Sequence, residues 1–369
     1  MLSRTSLTKC FSFSRRVASY HAASVVSASA SASTSASFPA PRLFSFEQIK
    51  SNLTVKDAIP SVEEAFGALA KGKVDVPMPM HIGIEESSEA GPGDCHIKGG
   101  YVFGAKTFTV KLACVSFYKN VQRGLAPGSG VFVVVDAAKG CPLGIFQENR
   151  VMTDLRTGAA GAVAVKYTTP EDNNIIGFIG TGAIARNMAR AVAAVRKNFK
   201  CIAYGLDIKG AKNFADEMSV ELGVPFKVAS SSEDLCSQSN VIFTQTTGSD
   251  FVLNLGHLRK GTTIIASGSD QPTKQELPNN VLASADKYIA DLTKQTSRVG
   301  ELRGAIEANV MTTSDVYCEL GELVNGTKAG RENDHELIVV DLTGTGAQDA
   351  AIGQVAWDKL SQLEKVENL

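Results

Sequence analysis

The stretch NIIGFIGTGAIA, Asn174 to Ala185, constrains the fold more than any other. A short apolar run ends in Gly180-Thr181-Gly182 and passes straight into ARNMARAVAAVRKN, whose apolar positions recur at helical spacing. A strand that turns through glycines into a helix N-terminus leaves backbone N–H groups facing outward, ready for an anion. In that setting Gly182 lets the backbone approach a pyrophosphate, and Ala185 lets the helix pack closely on its strand. Gly180 and Gly182 are therefore candidate dinucleotide contacts.

The segments that follow keep the rhythm. CIAYGLD, PFKVAS, VIFTQTT, TTIIASGSD and KYIADL are short strand candidates, with helical stretches such as AKNFADEMSVELG between the first of them. Alternation of this kind predicts an α/β fold, a doubly wound parallel sheet of the Rossmann type. The polar turn TTPEDNN marks its start, near residue 166. The second strand should end in a group that reads the adenine ribose. Gly205 stands at that end with Asp207 two residues on and no Arg nearby, which favours NAD; Lys209 could serve a phosphate, which keeps NADP as the alternative.

The first half reads differently. From Ser51, NLTVKDAIPSVEEAFGALAKG predicts one amphipathic helix stopped by Gly72. YVFGAKTFTVKLACVSFY and SGVFVVVDAAKGCPLGIFQ predict strands of one antiparallel or mixed sheet, and TDLRTGAAGAVAVKY predicts a helix of small residues. HELIVVDL and GAQDAAIGQVAWDKLSQLEKV close the chain as a strand and a helix.

Before Glu47 there is no acidic residue, but there are Arg4, Lys9, Arg15, Arg16 and Arg42 in a tract crowded with Ser and Ala. That composition reads as a transit peptide over residues 1–46, addressed first to the mitochondrion and second to the plastid. Seven cysteines are scattered singly without a CxxC pair, which suits a reducing compartment. A net charge of -1 and the lack of basic clusters interleaved with aromatics disfavour nucleic acid and anionic membrane as partners.

Three polar groups stand where packing does not require them. Asp270, in GSDQPTKQEL, follows a later strand of the parallel sheet, at the edge where doubly wound folds gather ligands. Beside an apolar nicotinamide ring its carboxyl would be pushed up in pKa and could exchange a proton; the competing reading is a turn cap before Pro272. Lys111, among apolar neighbours in TFTVKLACV, faces inward toward an anion or snorkels at an edge. Arg156, in LRTGAAGA, has room to grip a carboxylate or phosphate, or forms a surface salt bridge. His81 and His96 are the histidines of the first domain within reach of a cleft.

Taken in order, VKLACVSFYKN, VMTDLRTGAAGA, GFIGTGAIA, GSDQPTKQEL, the Asp291 to Glu301 segment and DLTGTGAQDAA resemble the ornithine cyclodeaminase/mu-crystallin family from about residue 50 to the end. The resemblance implies a homodimer of two-domain subunits. Residues 47–165 with 338–369 would form the substrate and dimerisation domain, and 166–337 the NAD(P)-binding domain. It further implies that Lys111 and Arg156 hold the carboxylate of a small imino or amino acid, and Lys111 joins Asp270 as a catalytic candidate; His81, within reach of the cleft, is a candidate substrate contact on its own position. Asp270 would exchange the proton. Ala183, Ile184, Arg156, Thr246, Ser267, Gly268, Ser269, Lys274 and Thr343 would serve the dinucleotide site. PMPMHIGI carries Met and His81 where the cyclodeaminases have a carboxylate-binding arginine. With HIKGGY, this makes the chain more similar to the imine and ketimine reductases, including the iminosuccinate type. Ornithine cyclodeamination and mu-crystallin-like ligand binding are the alternatives.

Overall fold

The computed structural model describes residues 37–86, 91–172 and 174–367, and Ala40–Leu369 forms a compact unit. The transit-peptide reading lies, over residues 1–36, outside the described residues. The folded chain begins earlier than position 47. Arg42–Phe44 is already a strand, β1, and Phe44 is fully buried, stacked on Phe146.

The single helix read from Ser51 is two. Phe46–Asn52 ends, and Thr54 caps a second helix, Val55–Ala70, through a reciprocal arrangement in which Asp57 accepts from the Thr54 backbone N–H and hydroxyl. Such a box fixes a helix start more firmly than periodicity does, so the break falls at Leu53–Thr54.

A seven-stranded sheet follows from β1, β2 (Val74–Asp75), β3 (Met80–Ile84), β4 (Gly93–Val102), β5 (Thr107–Val115), β6 (Ser129–Asp136) and β7 (Pro142–Gln147). Its order is β1-β7-β6-β5-β4-β2, with β3 also on β4. All pairings are antiparallel except β1 on β7, so the sheet is mixed. Side chains alternate across it. On β5, Thr109, Lys111 and Ala113 are buried, while Val110 and Leu112 face outward. The inner face is covered by the last helix, Gly346–Glu367, which packs on β4 and β5.

The second sheet contains β8 (Ile175–Ile179), β9 (Lys200–Tyr204), β10 (Phe226–Val228), β11 (Val241–Thr244), β12 (Thr263–Ala266), β13 (Lys287–Ala290), β14 (Cys318–Glu319) and β15 (Ile338–Asp341). Every pairing is parallel, in the order β10-β9-β8-β11-β12-β15-β13-β14. This is the doubly wound sheet the alternation predicts. One boundary moves: β15 lies between β12 and β13, so the chain leaves this sheet after Asp341 and not at residue 337.

The small-residue helix, Val151–Thr168, is buried along almost its whole length between the two sheets' helices. A Cβ on Gly158 would stand 2.7 Å from the Asn187 carbonyl oxygen, and one on Gly161 would meet the Met188 sulfur. The helix carries glycine and alanine because it crosses the helix Ala183–Val195 at close range.

Candidate functional site

Because the strands of the second sheet run one way, their carboxyl ends share one edge, and the loops there form a run of connected cavities. The outermost, about 560 Å³, is lined by Gly180, Gly182, Gly205, Asp207 and Thr246. Next comes one of about 270 Å³ bordered by Ala183, Ile184, Thr246, Gly268 and Lys274. The innermost is small, about 60 Å³, and lies between the sheets against His96, Lys98, Lys111, Arg156, Asp270 and Thr343. Gly182 and Thr246 border the first two, and Ile184, Ser267 and Asp270 border the last two.

The outer cavities fit a dinucleotide. Gly180 has φ +94° and Gly182 opens onto free space, with nothing within 4 Å of where a Cβ would point. Behind them the helix Ala183–Val195 presents its N-terminus, which favours a phosphate. Asp207 caps the next helix, its carboxylate accepting from the Lys209 N–H at 3.0 Å, and it borders the outer cavity two residues beyond Gly205.

Buried carboxylates hold the loops of this edge. Glu276 is wholly buried and accepts from the Thr244 hydroxyl (2.6 Å), the Thr246 N–H (2.6 Å) and hydroxyl (2.7 Å), and the Gly268 N–H (3.0 Å). Glu301 in turn accepts the N–H groups of Glu276 and Leu277. Asp291 takes the Thr343 N–H and hydroxyl and the Gly344 N–H, and burial pushes its pKa up to about 6. Asp341 accepts the Tyr288 hydroxyl at 2.6 Å and is pushed up to about 8, again by burial.

At the inner cavity, alternation on β4 and β5 aims His96, Lys98 and Lys111 inward. Lys111 Nζ lies 2.8 Å from Asp349 Oδ1, and Arg156 Nε reaches the same oxygen at 3.2 Å. Burial pulls Lys111 down to about 8 against the pull of Asp349. Although burial alone would raise it, Lys111 and Arg156 hold the Asp349 carboxyl below its ordinary value. Lys98 Nζ donates to the carbonyl oxygens of Thr343 (3.2 Å) and Gly344 (2.8 Å), and its pKa is lowered by burial.

Asp270 corrects an expectation. Burial acts to raise its pKa, but Lys274, 3.2 Å away, together with Lys98 outweighs that and leaves it lowered. It stands at the cavity as a carboxylate, not as an acid.

Three further expectations are displaced. His81 borders none of these cavities; its ring is 46% exposed on β3 and lies 3.2 Å from Asp94. The cavity neighbour is His96: the two rings share one face of the sheet, but β3 pairs with β4 alone, so His81 lies at the sheet's margin toward solvent while His96 lies further in. Ser269 is buried away from the channel, its hydroxyl donating to the Lys274 carbonyl oxygen at 2.7 Å, so it shapes the loop from behind. Thr343 borders the inner cavity beside Lys98 and not the dinucleotide channel.

Lys98 and Asp349 escape a reading of single residues, although HIKGGY and GAQDAA contain them. The signal for Lys98 is its i+2 spacing from His96 on one strand face.

Comparison with known proteins agrees with this architecture. The solved structure of Thermococcus litoralis Delta(1)-pyrroline-2-carboxylate reductase in complex with NADH and L-proline is 29% identical, with a TM-score of 0.81 over 88% of this chain and 98% of that one. Alanine dehydrogenase of Archaeoglobus fulgidus is 30% identical over 85% of this chain and 92% of its own length. Iminosuccinate reductase of Paracoccus denitrificans is 30% identical over 84% and 93%. The model of one family matches residues 41–364, nearly everything from β1 to the last helix. With the same motifs on one connected cleft, this chain belongs to the ornithine cyclodeaminase/mu-crystallin family.

Proposed function

We propose that the protein is an NADH-dependent reductase that converts a small 2-imino acid into the amino acid. The observation that carries this is the inner cavity. A carboxylate, Asp270, faces the buried cations Lys98, Lys111 and Arg156 where the dinucleotide channel ends. Lys111 and Arg156 hold the substrate carboxylate, and Asp270 stabilises the positive charge of the protonated imine and handles its nitrogen proton. The dinucleotide, when bound, supplies the hydride. The wall of Ile184, Leu342 and Ala113 keeps water from the reacting carbon, and a cavity this small suits a short side chain. Asp207 and Asp250 are the charged residues at the outer cavity, with no Lys or Arg among its described lining, which supports NADH over NADPH.

The reading extends to assembly and address. The outward face of the first sheet sets Met80, Ile97, Leu112 and Val131 side by side across β3 to β6, with Met80 and Leu112 exposed. A second copy of the chain covers this row, giving a homodimer. Leu112→Glu should then halve the mass seen by light scattering. The Arg- and Ser-rich leader supports a mitochondrial address, which a fluorescent fusion in cells tests against the plastid.

The activity is tested with the full chain by following NADH and NADPH at 340 nm with ammonia and glyoxylate, pyruvate or oxaloacetate. Oxidation that requires both ammonia and the oxo acid supports the reading. A flat trace with every pair sinks it.

A further inference from the structure

Imine reduction takes up one proton per turnover, and any route for that proton rests on the reductase reading. As the imine carbon gains hydride, with the dinucleotide as reductant, the C=N π pair closes onto nitrogen, which binds the proton. Asp270, held ionised by Lys274, has none of its own to give near neutral pH. Among the other titratable groups on the cavity wall, Lys111 and Arg156 share Asp349, Arg150 pairs with Asp154, and Lys98 donates to two carbonyl oxygens. His96 remains.

The strands place His96 at one end of a short crossing from water. His81 on β3 stands directly opposite His96 on β4, the rings edge to face with centroids 4.8 Å apart. One ring is half in solvent; the other is 7% exposed and borders the cavity beside Asp270. Asp94 Oδ1 lies 3.2 Å from His81 Nε2, and its other oxygen accepts from the Gln271 amide at 3.4 Å. That amide also lies 3.4 Å from His96 Nε2, and Gln271 follows Asp270 in the chain. The charged and titratable groups around His96 are Asp270, Lys98, His81 and Asp94.

We propose that His81 and His96 carry the proton from bulk water to Asp270. His81 picks it up at its exposed edge, with Asp94 Oδ1 3.2 Å from its Nε2. His96 accepts at one ring nitrogen as it releases from the other toward Asp270, which hands the proton to the substrate nitrogen. The carboxylate and both rings end in their starting charge state. Each ring that has passed a proton from one nitrogen to the other is left as its other tautomer and resets by a ring flip before the next turnover. The net uptake is one proton from water. Burial holds the pKa of His96 down to about 4, so it rests as the neutral ring that both donates and accepts.

The test uses full-length protein with the imino acid that the wild type reduces. His96→Gln should lower kcat by roughly 100-fold and His81→Gln by about tenfold, with KM nearly unchanged. In both, a solvent deuterium isotope effect should appear, and rising imidazole buffer should restore turnover. His81, half in water, can be replaced without threatening the fold, and NADH fluorescence confirms that both variants bind cofactor. Unchanged kcat in both, or losses that imidazole does not relieve and that carry no isotope effect, overturn the route. An inactive wild type overturns the reductase reading and the route with it; an active wild type with buffer-insensitive variants overturns the route alone.

Discussion

Lys111 and Asp349, 238 positions apart in sequence, meet at 2.8 Å with both side chains out of water. Arg156 shares the same carboxylate oxygen, so one acid neutralises two cations. Asp349→Ala strands both charges, and removing one member of such a buried group costs about 3–5 kcal/mol. Urea unfolding at pH 7 measures this. A loss below 1 kcal/mol would mean that water already screens the pair.

Asp270→Asn keeps the shape of the side chain and removes the group that handles the proton. Turnover should fall by roughly two to four powers of ten while NADH binding, followed by fluorescence, stays within about twofold. Wild-type rates in this variant remove Asp270 from the chemistry.

Asp341 makes stability depend on pH. Its folded pKa, pushed up to about 8 by burial, lies above the unfolded value of about 4. Between those values the folded state holds the extra proton, so its contribution to stability declines as pH rises through the window and is level outside it. Asp341→Asn does not titrate. Its stability relative to wild type should therefore rise from pH 4 to pH 8, measured by thermal or urea unfolding across that range; a constant difference contradicts the assignment.

Gly158→Ala places a methyl against the Asn187 carbonyl, a backbone atom that cannot swing away. Forcing the helices apart should cost about 1–3 kcal/mol. Because Arg156 and Thr157 border the inner cavity from the same turn, KM for the imino acid should rise as well. A stable variant with normal KM would show that the two helices have slack.

Legibility in the sequence tracks contact range. The turn at Gly180–Gly182 is legible because strand, glycines and helix are adjacent, and the face on which Lys111 sits follows from strand alternation. The start at Thr54 is legible too, in its Thr-x-x-Asp spacing, but apolar periodicity runs across it. Lys98 is hidden because its partners are carbonyl oxygens some 245 residues away. The place of β15 inside the second sheet is hidden because a parallel sheet is ordered by crossovers, and spacing along the chain does not give that order. Asp270 misleads for a related reason: burial alone raises a carboxyl, and the opposing cations on β4 and in its own loop come together with it only in three dimensions.

The site's dependence on Asp349 also sets when it can exist during synthesis. Asp349 lies in the first turn of the final helix, the same helix that covers the inner face of the first sheet. On the ribosome, β4 and β5 emerge long before it, carrying lysines whose counter-charge has not yet been made. A nascent chain can assemble most of the parallel sheet, but it completes the inner cavity only once the helix that carries Asp349 has emerged.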